Sequence, residues 1–330
     1  MQQQHEARVE LFVSNTQAIK KEFKWQNAIL HRLAALLFAS ENRTADCEAI
    51  RHNLERIKES TRLFSAFRGN SSLTLAAFLS LAPDQETRLT DTLSVYDQMK
   101  EIKFRTSDYL VIAAHQIAAH APKERFDAVI RRAKTFYDRM KAEHAFLTGQ
   151  DDYIFAAMLA LSELEPEASV IRMEELYAEL RREFPIGNGL QALTQVLTLG
   201  EDSAHAGTRL LELKDAFRQR SLRMDKGDLL PTLGVLSLLP VKQDTLVDDV
   251  SRTFDELRTR KGFGTWSVTK QELLLFSAAL AAVNHVEDLR SGVLATSLST
   301  SITTMLIAQQ AAMAAAAAGA AAAAASSSSH

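Results

Sequence analysis

The chain has 330 residues, of which 46% are hydrophobic and 24% are charged, with a formal net charge of -3 at pH 7. The near-neutral balance argues against a nucleic-acid partner, because phosphate binding needs Lys and Arg in excess of the carboxylates. A single cysteine excludes an internal disulfide, and 12 Gly with 6 Pro leave little room for a turn-rich all-β fold.

The N-terminal stretch MQQQHEARVELF is charged where a secretion signal needs an apolar run. We therefore expect a cytoplasmic protein, and the lone Cys47 fits a reducing compartment. Residues 19–39 place apolar side chains along one face of a helix, namely Phe23, Trp25, Ile29, Leu33 and Leu37. We predict one helix over this segment, which caps the open end of the fold.

A five-residue string occurs twice, as YDQMK at Tyr96–Lys100 and as YDRMK at Tyr137–Lys141. The second copy lies on an apolar stripe with steps of 3, 4 and 3 residues, formed by Ile130, Ala133, Tyr137 and Met140. Such steps place side chains on one face of an α-helix. Similar stripes recur at intervals of 37 to 42 residues, with anchors Leu54, Tyr96, Tyr137, Tyr177, Phe217 and Phe254.

Each stripe is followed by a segment that is apolar nearly all round and rich in small residues, such as LTLAAFLSLA or YIFAAMLALSE. Such a helix must be buried on most sides. We predict an all-α fold, an α-solenoid-like array of about six pairs of an amphipathic helix A and a buried helix B. The alternative is a non-repeating helical bundle. We assign residues 1–290 to one helical domain and residues 291–330 to an uncharged Ala/Ser-rich helix and tail.

The turns from helix A to helix B carry a Phe followed by polar residues, as in FRGNSS, FRTSD, FLTGQDDY and FPIGNGLQ. Stacking would bring these turns to one edge, so we predict a polar binding surface formed by Arg68, Asp151, Asp152, Asn188 and Gln191. The alternative is that the turns only cap the following helices, through Asn70, Ser107, Asp151 and Asn188. Arg68 and Gln191 are poor N-caps, so the binding hypothesis depends mainly on these two.

The sequence contains no Gly-rich phosphate loop, no His-Glu-x-x-His, no paired cysteines and no Gly-x-Ser-x-Gly. Glu48 and His52 are one helical turn apart, a spacing more typical of an exposed contact than of a metal site. His115 lies in a buried segment, and we interpret it as a hydrogen-bonded core histidine. We expect no catalytic residue, no metal and no cofactor.

The chain carries no Asp, Glu, Lys or Arg after Arg290. Residues 301–325 would measure about 37 Å as a helix, which is long enough to cross a bilayer. They contain only two strongly inserting residues, Leu306 and Ile307. A helix that docks on the last pair or pairs with a second copy of the chain is therefore expected, and membrane association through this segment is the alternative.

Several of these stretches together resemble the bacterial domain of unknown function 4003 family. They are IKKEFKW near the start, FRG at Phe67–Gly69, YDRMK, DDY at Asp151–Tyr153, GNGLQ at Gly187–Gln191 and the charge-free Ala-rich end. The resemblance covers nearly the whole chain. It implies no activity, substrate or catalytic residue that can be transferred to this sequence.

The architecture and the absence of catalytic motifs favour a non-catalytic scaffold for protein–protein interaction, which binds through the A–B turns. Two alternatives remain at this point. One is a small-molecule-binding protein or enzyme with its site in the same turns. The other is a membrane-peripheral protein held by its Ala-rich tail.

Overall fold

The computed structural model describes residues 2–200 and 206–290. These residues form fourteen α-helices and no β-strand, which confirms the predicted all-α fold. The helices are α1 (Gln2–Glu22), α2 (Ala28–Ser40), α3 (Cys47–Glu59), α4 (Ser72–Leu81), α5 (Gln85–Glu101), α6 (Asp108–His120), α7 (Phe126–Glu143), α8 (Asp152–Leu161), α9 (Pro166–Leu180), α10 (Asn188–Leu199), α11 (Ala206–Gln219), α12 (Leu230–Leu238), α13 (Gln243–Thr259) and α14 (Lys270–Arg290).

The helices α3 to α14 alternate between the two predicted kinds. The odd-numbered helices carry the amphipathic stripes and are called A helices here, and the even-numbered helices that follow them are called B helices. In α7 all four predicted stripe residues are buried, namely Ile130, Ala133, Tyr137 and Met140. In α8 nine of the ten residues are buried, so this B helix is enclosed on all sides. Local apolar spacing therefore determines which helix faces solvent.

Contacts divide the described chain into two compact units. Unit 1 contains residues 2–14, 167–200 and 206–290, and unit 2 contains residues 15–166. In unit 2 each B helix contacts the next B helix, in the order α2, α4, α6 and α8. In unit 1 the same order is α10, α12 and α14. The prediction that residues 1–290 form one domain stays a prediction.

The N-terminal segment contradicts the prediction of one helix over residues 19–39. A turn interrupts it, because the side chain of Asn27 accepts a hydrogen bond from Ile29 N–H at 3.1 Å and starts α2. His31 donates to the carbonyl oxygen of Phe23 at 2.8 Å, which closes this turn. Trp25, predicted on the apolar face, is fully exposed in the turn.

The N-terminal part of α1 packs on α13 and α14 within unit 1. The Phe12 ring centroid lies 5.4 Å from the ring centroids of both Phe263 and Phe276. His5 shares a 2.6 Å hydrogen bond with the hydroxyl of Thr253. Residues 2–14 are therefore part of the core of unit 1, although α1 continues into unit 2.

The predicted C-terminal helix and tail, residues 291–330, lie outside the described residues. Among the helices described, none has both the length and the apolar character needed to cross a bilayer.

Candidate functional site

The turn between α3 and α4 shows what the FRG stretch does. Phe67 is buried, and its ring packs edge-on against Tyr96 of α5 with 4.8 Å between the centroids. The Arg68 guanidinium donates to the backbone carbonyl oxygens of Lys58 and Thr61. Arg68 therefore caps the C-terminal end of α3, a role that differs from the N-cap considered for these turns.

Gly69 makes room for a contact between neighbouring turns. A Cβ atom at this position would lie 2.7 Å from a carboxylate oxygen of Asp108, the first residue of α6. The same carboxylate accepts a hydrogen bond from Ser71 N–H at 2.7 Å. Any larger residue here would displace the Asp108 carboxylate, whose contact links the α3–α4 turn to α6.

The next two turns are joined by an aromatic cluster. Phe104 is buried, with its ring centroid 4.9 Å from that of Tyr153 and 5.8 Å from that of Tyr137. The hydroxyls of Tyr137 and Tyr153 are hydrogen-bonded to each other, and the Tyr153 hydroxyl accepts from Arg105 N–H at 3.2 Å. Burial raises the pKa of Tyr153. The Tyr of DDY is therefore a packing residue.

The repeated YDQMK and YDRMK strings combine a buried Tyr with a Lys one helical turn later. The Lys100 ammonium lies 5.4 Å from the centroid of the Tyr96 ring, and the Lys141 ammonium lies 5.6 Å from that of Tyr137. Both distances are typical of cation–π contacts. These contacts account for the basic residue that follows the apolar stripe.

The two adjacent aspartates of the α7–α8 turn have different environments. Asp152 is buried and accepts a hydrogen bond from Gly149 N–H at 2.8 Å, so it stabilises the turn from within. Asp151 is partly exposed and occupies the N-cap position of α8 without a side-chain capping bond. Its charge is one of the causes, after burial, that raise the pKa of Tyr109 to about 12.

The α9–α10 turn, in unit 1, places the remaining predicted site residues. Gln191 is buried, and Asn188 is exposed as the first residue of α10. Gly187 has a φ of +152°, outside the range that other residues favour. A Cβ on Gly189 would lie 2.1 Å from the carbonyl oxygen of Gly227, so the second glycine of GNGLQ allows backbone contact.

The five predicted residues are divided between the two units. Arg68, Asp151 and Asp152 belong to unit 2, and Asn188 and Gln191 belong to unit 1. Asp152 and Gln191 are buried, and Arg68 is half-buried on helix carbonyl groups. Their binding role stays a prediction, and the most exposed side chains of these turns are different ones.

Large apolar side chains are exposed almost entirely in the A–B turns, counting the α1–α2 turn among them. In unit 2 they are Trp25, Leu63, Phe64 and Phe146, and in unit 1 they are Ile186 and Trp266. Elsewhere in the described chain, only Ile171 of α9 is comparably exposed. Trp25, Phe64, Phe146 and Trp266 are almost wholly accessible to solvent. Exposure of large apolar side chains to water is energetically unfavourable, so their concentration in these turns indicates a candidate interaction surface.

Basic side chains accompany the first three of these turns in unit 2. Lys24, Arg62, Lys103 and Arg105 are exposed, and none forms an ion pair within the described residues. The cations of the helices in the same unit are often paired, as Arg131 is with Asp127 of α7 at 2.9 Å. All three turns thus carry cations without an ion pair, and in the first two these cations lie near exposed apolar side chains.

The described residues show no metal-binding cluster. No group of three or more His, Cys, Asp or Glu among them is placed to hold a metal ion. His115 is buried, lies 3.5 Å from the Thr92 hydroxyl and stacks on Phe78, which confirms that it is a core histidine. Burial lowers its pKa to about 3 and raises the pKa of the Cys47 thiol. These pKa shifts disfavour acid–base catalysis by His115 and nucleophilic attack by the Cys47 thiol near neutral pH.

Sequence reasoning missed the exposed aromatic residues because it assigned them to other roles. Phe146 was grouped with Phe67 and Phe104 as a turn phenylalanine, yet it is fully exposed, and Thr148 is buried in the same turn. One signal was available for Phe64, because the LFSAF stretch holds two Phe in a short turn. Both rings rarely fit inside one such turn.

Residues 15–311 match the family described as Protein of unknown function (DUF4003), which confirms the resemblance. No curated protein matches the chain, and no solved structure matches it.

Proposed function

The chain belongs to the DUF4003 family, and we propose that it is a non-catalytic helical-repeat scaffold that binds another protein along its A–B turns. The family description names no activity, so the proposal depends on the residues of this chain. Its main support is that large apolar side chains are exposed in turns of one kind.

The helical-repeat part of the proposal is supported by two observations. The A stripes recur every 37 to 42 residues, and within each unit the B helices contact one another in chain order. This order is typical of stacked helix pairs. We also place the protein in the bacterial cytoplasm, since its single cysteine fits a reducing compartment and the family resemblance indicates a bacterial source.

Protein binding is favoured by the composition of the exposed turns. Trp and Arg are the residue types that most often dominate the binding energy of protein interfaces, and both are present here with Phe and Leu. Trp25, Arg62 and Phe64 lie in consecutive A–B turns of unit 2, and all three are exposed. Their helix pairs are neighbours, because α2 contacts α4. A partner can therefore contact them at the same time.

Site-specific photo-crosslinking in cells tests this proposal. A photo-reactive phenylalanine derivative replaces Phe64 in one variant and Asn42 in a matched control. Both residues are exposed, but Asn42 lies in the turn between α2 and α3, which joins a B helix to an A helix. We expect a discrete adduct with another polypeptide from position 64 and none from position 42. Equal adducts from both positions, or none from position 64, would contradict the proposal.

A further inference from the structure

The basic and apolar side chains of the first three A–B turns of unit 2 form one surface. We call it the turn-edge patch, and it consists of Lys24, Trp25, Arg62, Leu63, Phe64, Lys103 and Arg105. The three helix pairs that carry it are neighbours, because α2 contacts α4 and α4 contacts α6. Four of its seven side chains are cations with no ion pair in the part of the chain that is described.

The three turns differ in what they expose. The first two place a large apolar side chain beside a cation, Trp25 beside Lys24 and Phe64 near Arg62. The third exposes only the cations Lys103 and Arg105, because its phenylalanine, Phe104, is turned inward onto Tyr153. In chain order, the first and second turns of the patch are therefore both apolar and basic, and the third turn is basic only.

We propose that the turn-edge patch binds an extended acidic segment of a partner protein, with apolar residues of that segment contacting Trp25 and Phe64. This inference rests on the proposed function, since it specifies the partner of the same turns. The four cations supply charge complementarity for carboxylates. Unpaired cations at an interface select acidic partners and accelerate their association.

The spacing of the turns fits an extended chain. Packed helices lie about 8–10 Å apart, so consecutive turns of the patch are separated by about that distance. An extended segment in the polyproline II conformation advances about 3.1 Å per residue and presents every third side chain on the same face, so each step corresponds to about three residues. Two apolar anchors about three residues apart, followed after a similar interval by an acidic residue facing Lys103 and Arg105, match the patch.

A lipid surface fits the patch less well. The exposed carboxylates of Glu59 and Glu101 lie at the ends of α3 and α5, beside the turns. A continuous anionic surface would meet these carboxylates together with the cations, whereas an extended segment places its own carboxylates opposite the cations alone. The third turn also offers no apolar side chain for insertion between lipids.

Peptide selection on the full chain tests the inference. Random peptides of about 12 residues, long enough to span the three turns, are displayed on phage and selected against the immobilised protein. We expect the selected peptides to be rich in Asp and Glu, with apolar residues about three positions apart. Their binding should weaken about tenfold in Lys103→Glu/Arg105→Glu and in Trp25→Ser/Phe64→Ser, and it should weaken further as salt is raised.

Tryptophan fluorescence locates the binding. Trp25 and Trp266 are the two tryptophans of the chain, so Trp266→Phe leaves Trp25 as the single reporter at the patch. A selected peptide should shift the Trp25 emission to shorter wavelength, because the indole leaves water. Ile171→Ser, which removes an exposed apolar side chain from α9, is the control and should leave peptide binding unchanged.

The outcomes separate this inference from the proposed function. Neutral or basic peptides that shift Trp25 emission would overturn the acidic partner and leave the scaffold proposal standing. A shift with vesicles of phosphatidylglycerol, without any from peptides, would overturn it in favour of a lipid surface. The absence of both shifts, together with no adduct from position 64, would overturn the two proposals together.

Discussion

The A–B turns of the two units are anchored alike, but among the described residues only the turns of unit 1 pair some of their cations with carboxylates. In both units a phenylalanine is buried in the turn, as Phe67 and Phe104 are in unit 2 and Phe184 is in unit 1. In unit 1 several basic side chains of the turns, or of the helices beside them, are paired internally: Lys214 with Glu183, Arg220 with Asp248, Arg223 with Asp225, and Arg260 with Glu256. Other cations of the same turns are exposed and form no ion pair within the described residues, namely Arg181, Arg182, Lys226 and Lys261. In unit 2 the cations of the turn-edge patch have no such partner within the described residues.

Charged side chains of the A–B turns can therefore serve two different purposes, folding or binding. In an ion pair within a turn, both charges are bound inside the protein and neither is available to a partner. An unpaired cation beside an exposed aromatic ring contributes little to folding stability and remains accessible to a partner. Inward-facing and outward-facing residues of the turns should therefore respond very differently to mutation.

The largest expected difference lies within the α3–α4 turn, between Phe67 and Phe64. Phe67→Ala removes a buried ring and should lower the free energy of unfolding by about 3–5 kcal/mol. Phe64→Ala removes a wholly exposed ring and should change it by less than about 0.5 kcal/mol. Urea denaturation followed by circular dichroism measures both, and similar losses would contradict the assigned orientations.

Lowering the pH should reduce the free energy of unfolding because His115 of unit 2 is buried in its neutral form. Because burial lowers the pKa of His115 to about 3, the folded protein holds this ring neutral while the unfolded chain takes up a proton below about pH 6.5. Stability is therefore present above that pH and is lost as pH falls. The loss at pH 5 relative to pH 7 should be about 2 kcal/mol from this residue.

Urea denaturation of wild type and His115→Gln at the two pH values measures that contribution. The variant should show a smaller loss between them, and His52→Gln, which alters an exposed histidine, should match the wild type. Equal losses in wild type and His115→Gln would show that the burial of His115 does not cause the pH dependence.

The two arginines of the α3–α4 turn provide a third contrast. Arg68→Met keeps the aliphatic stem but removes the donors to the carbonyl groups at the end of α3, so we expect a loss of about 1.5 kcal/mol. Arg62→Met removes an exposed, unpaired charge and should stay within about 0.5 kcal/mol. Thermal unfolding monitored by circular dichroism compares the two, and the reverse order would contradict the capping role.

The smallest expected effect on stability is the difference between replacing Lys214 in unit 1 and replacing Lys103 in unit 2. The Lys214 ammonium lies 5.3 Å from the centroid of the Phe184 ring, so Lys214→Met should lose about 1 kcal/mol from this contact. Lys103→Met should leave unfolding unchanged and reduce peptide binding at the turn-edge patch. If Lys103→Met destabilises the protein as much as Lys214→Met does, the contrast between the units fails.

The helices were predictable because the signal that forms them is local. The stripe that ends at Met140 spans three turns of one helix, and the B segment from Tyr153 is apolar over its whole length. Both patterns can be read without knowledge of any neighbouring helix. The exception is residues 19–39, where the capping side chain of Asn27 overrides a regular apolar spacing.

The site was less predictable because side-chain direction in a turn depends on residues from other helices. Phe67 is buried because Tyr96 of the next A helix receives it, and no pattern within the turn distinguishes it from Phe64. Arg68 was assigned to binding because it is a poor N-cap, but its partners are carbonyl groups of the preceding helix. Such pairings require the three-dimensional arrangement of the turns.

The packing of residues 2–14 into unit 1 has a consequence for protein synthesis. Phe276 of α14 leaves the ribosome roughly 260 residues after Phe12, on the order of tens of seconds later at cellular rates. Phe12, which is buried in the finished protein, lacks its native contact with the Phe276 ring during that interval. Residues 2–14 are thus made well before the residues that cover them, so unit 1 completes its core only after α14 has been synthesised.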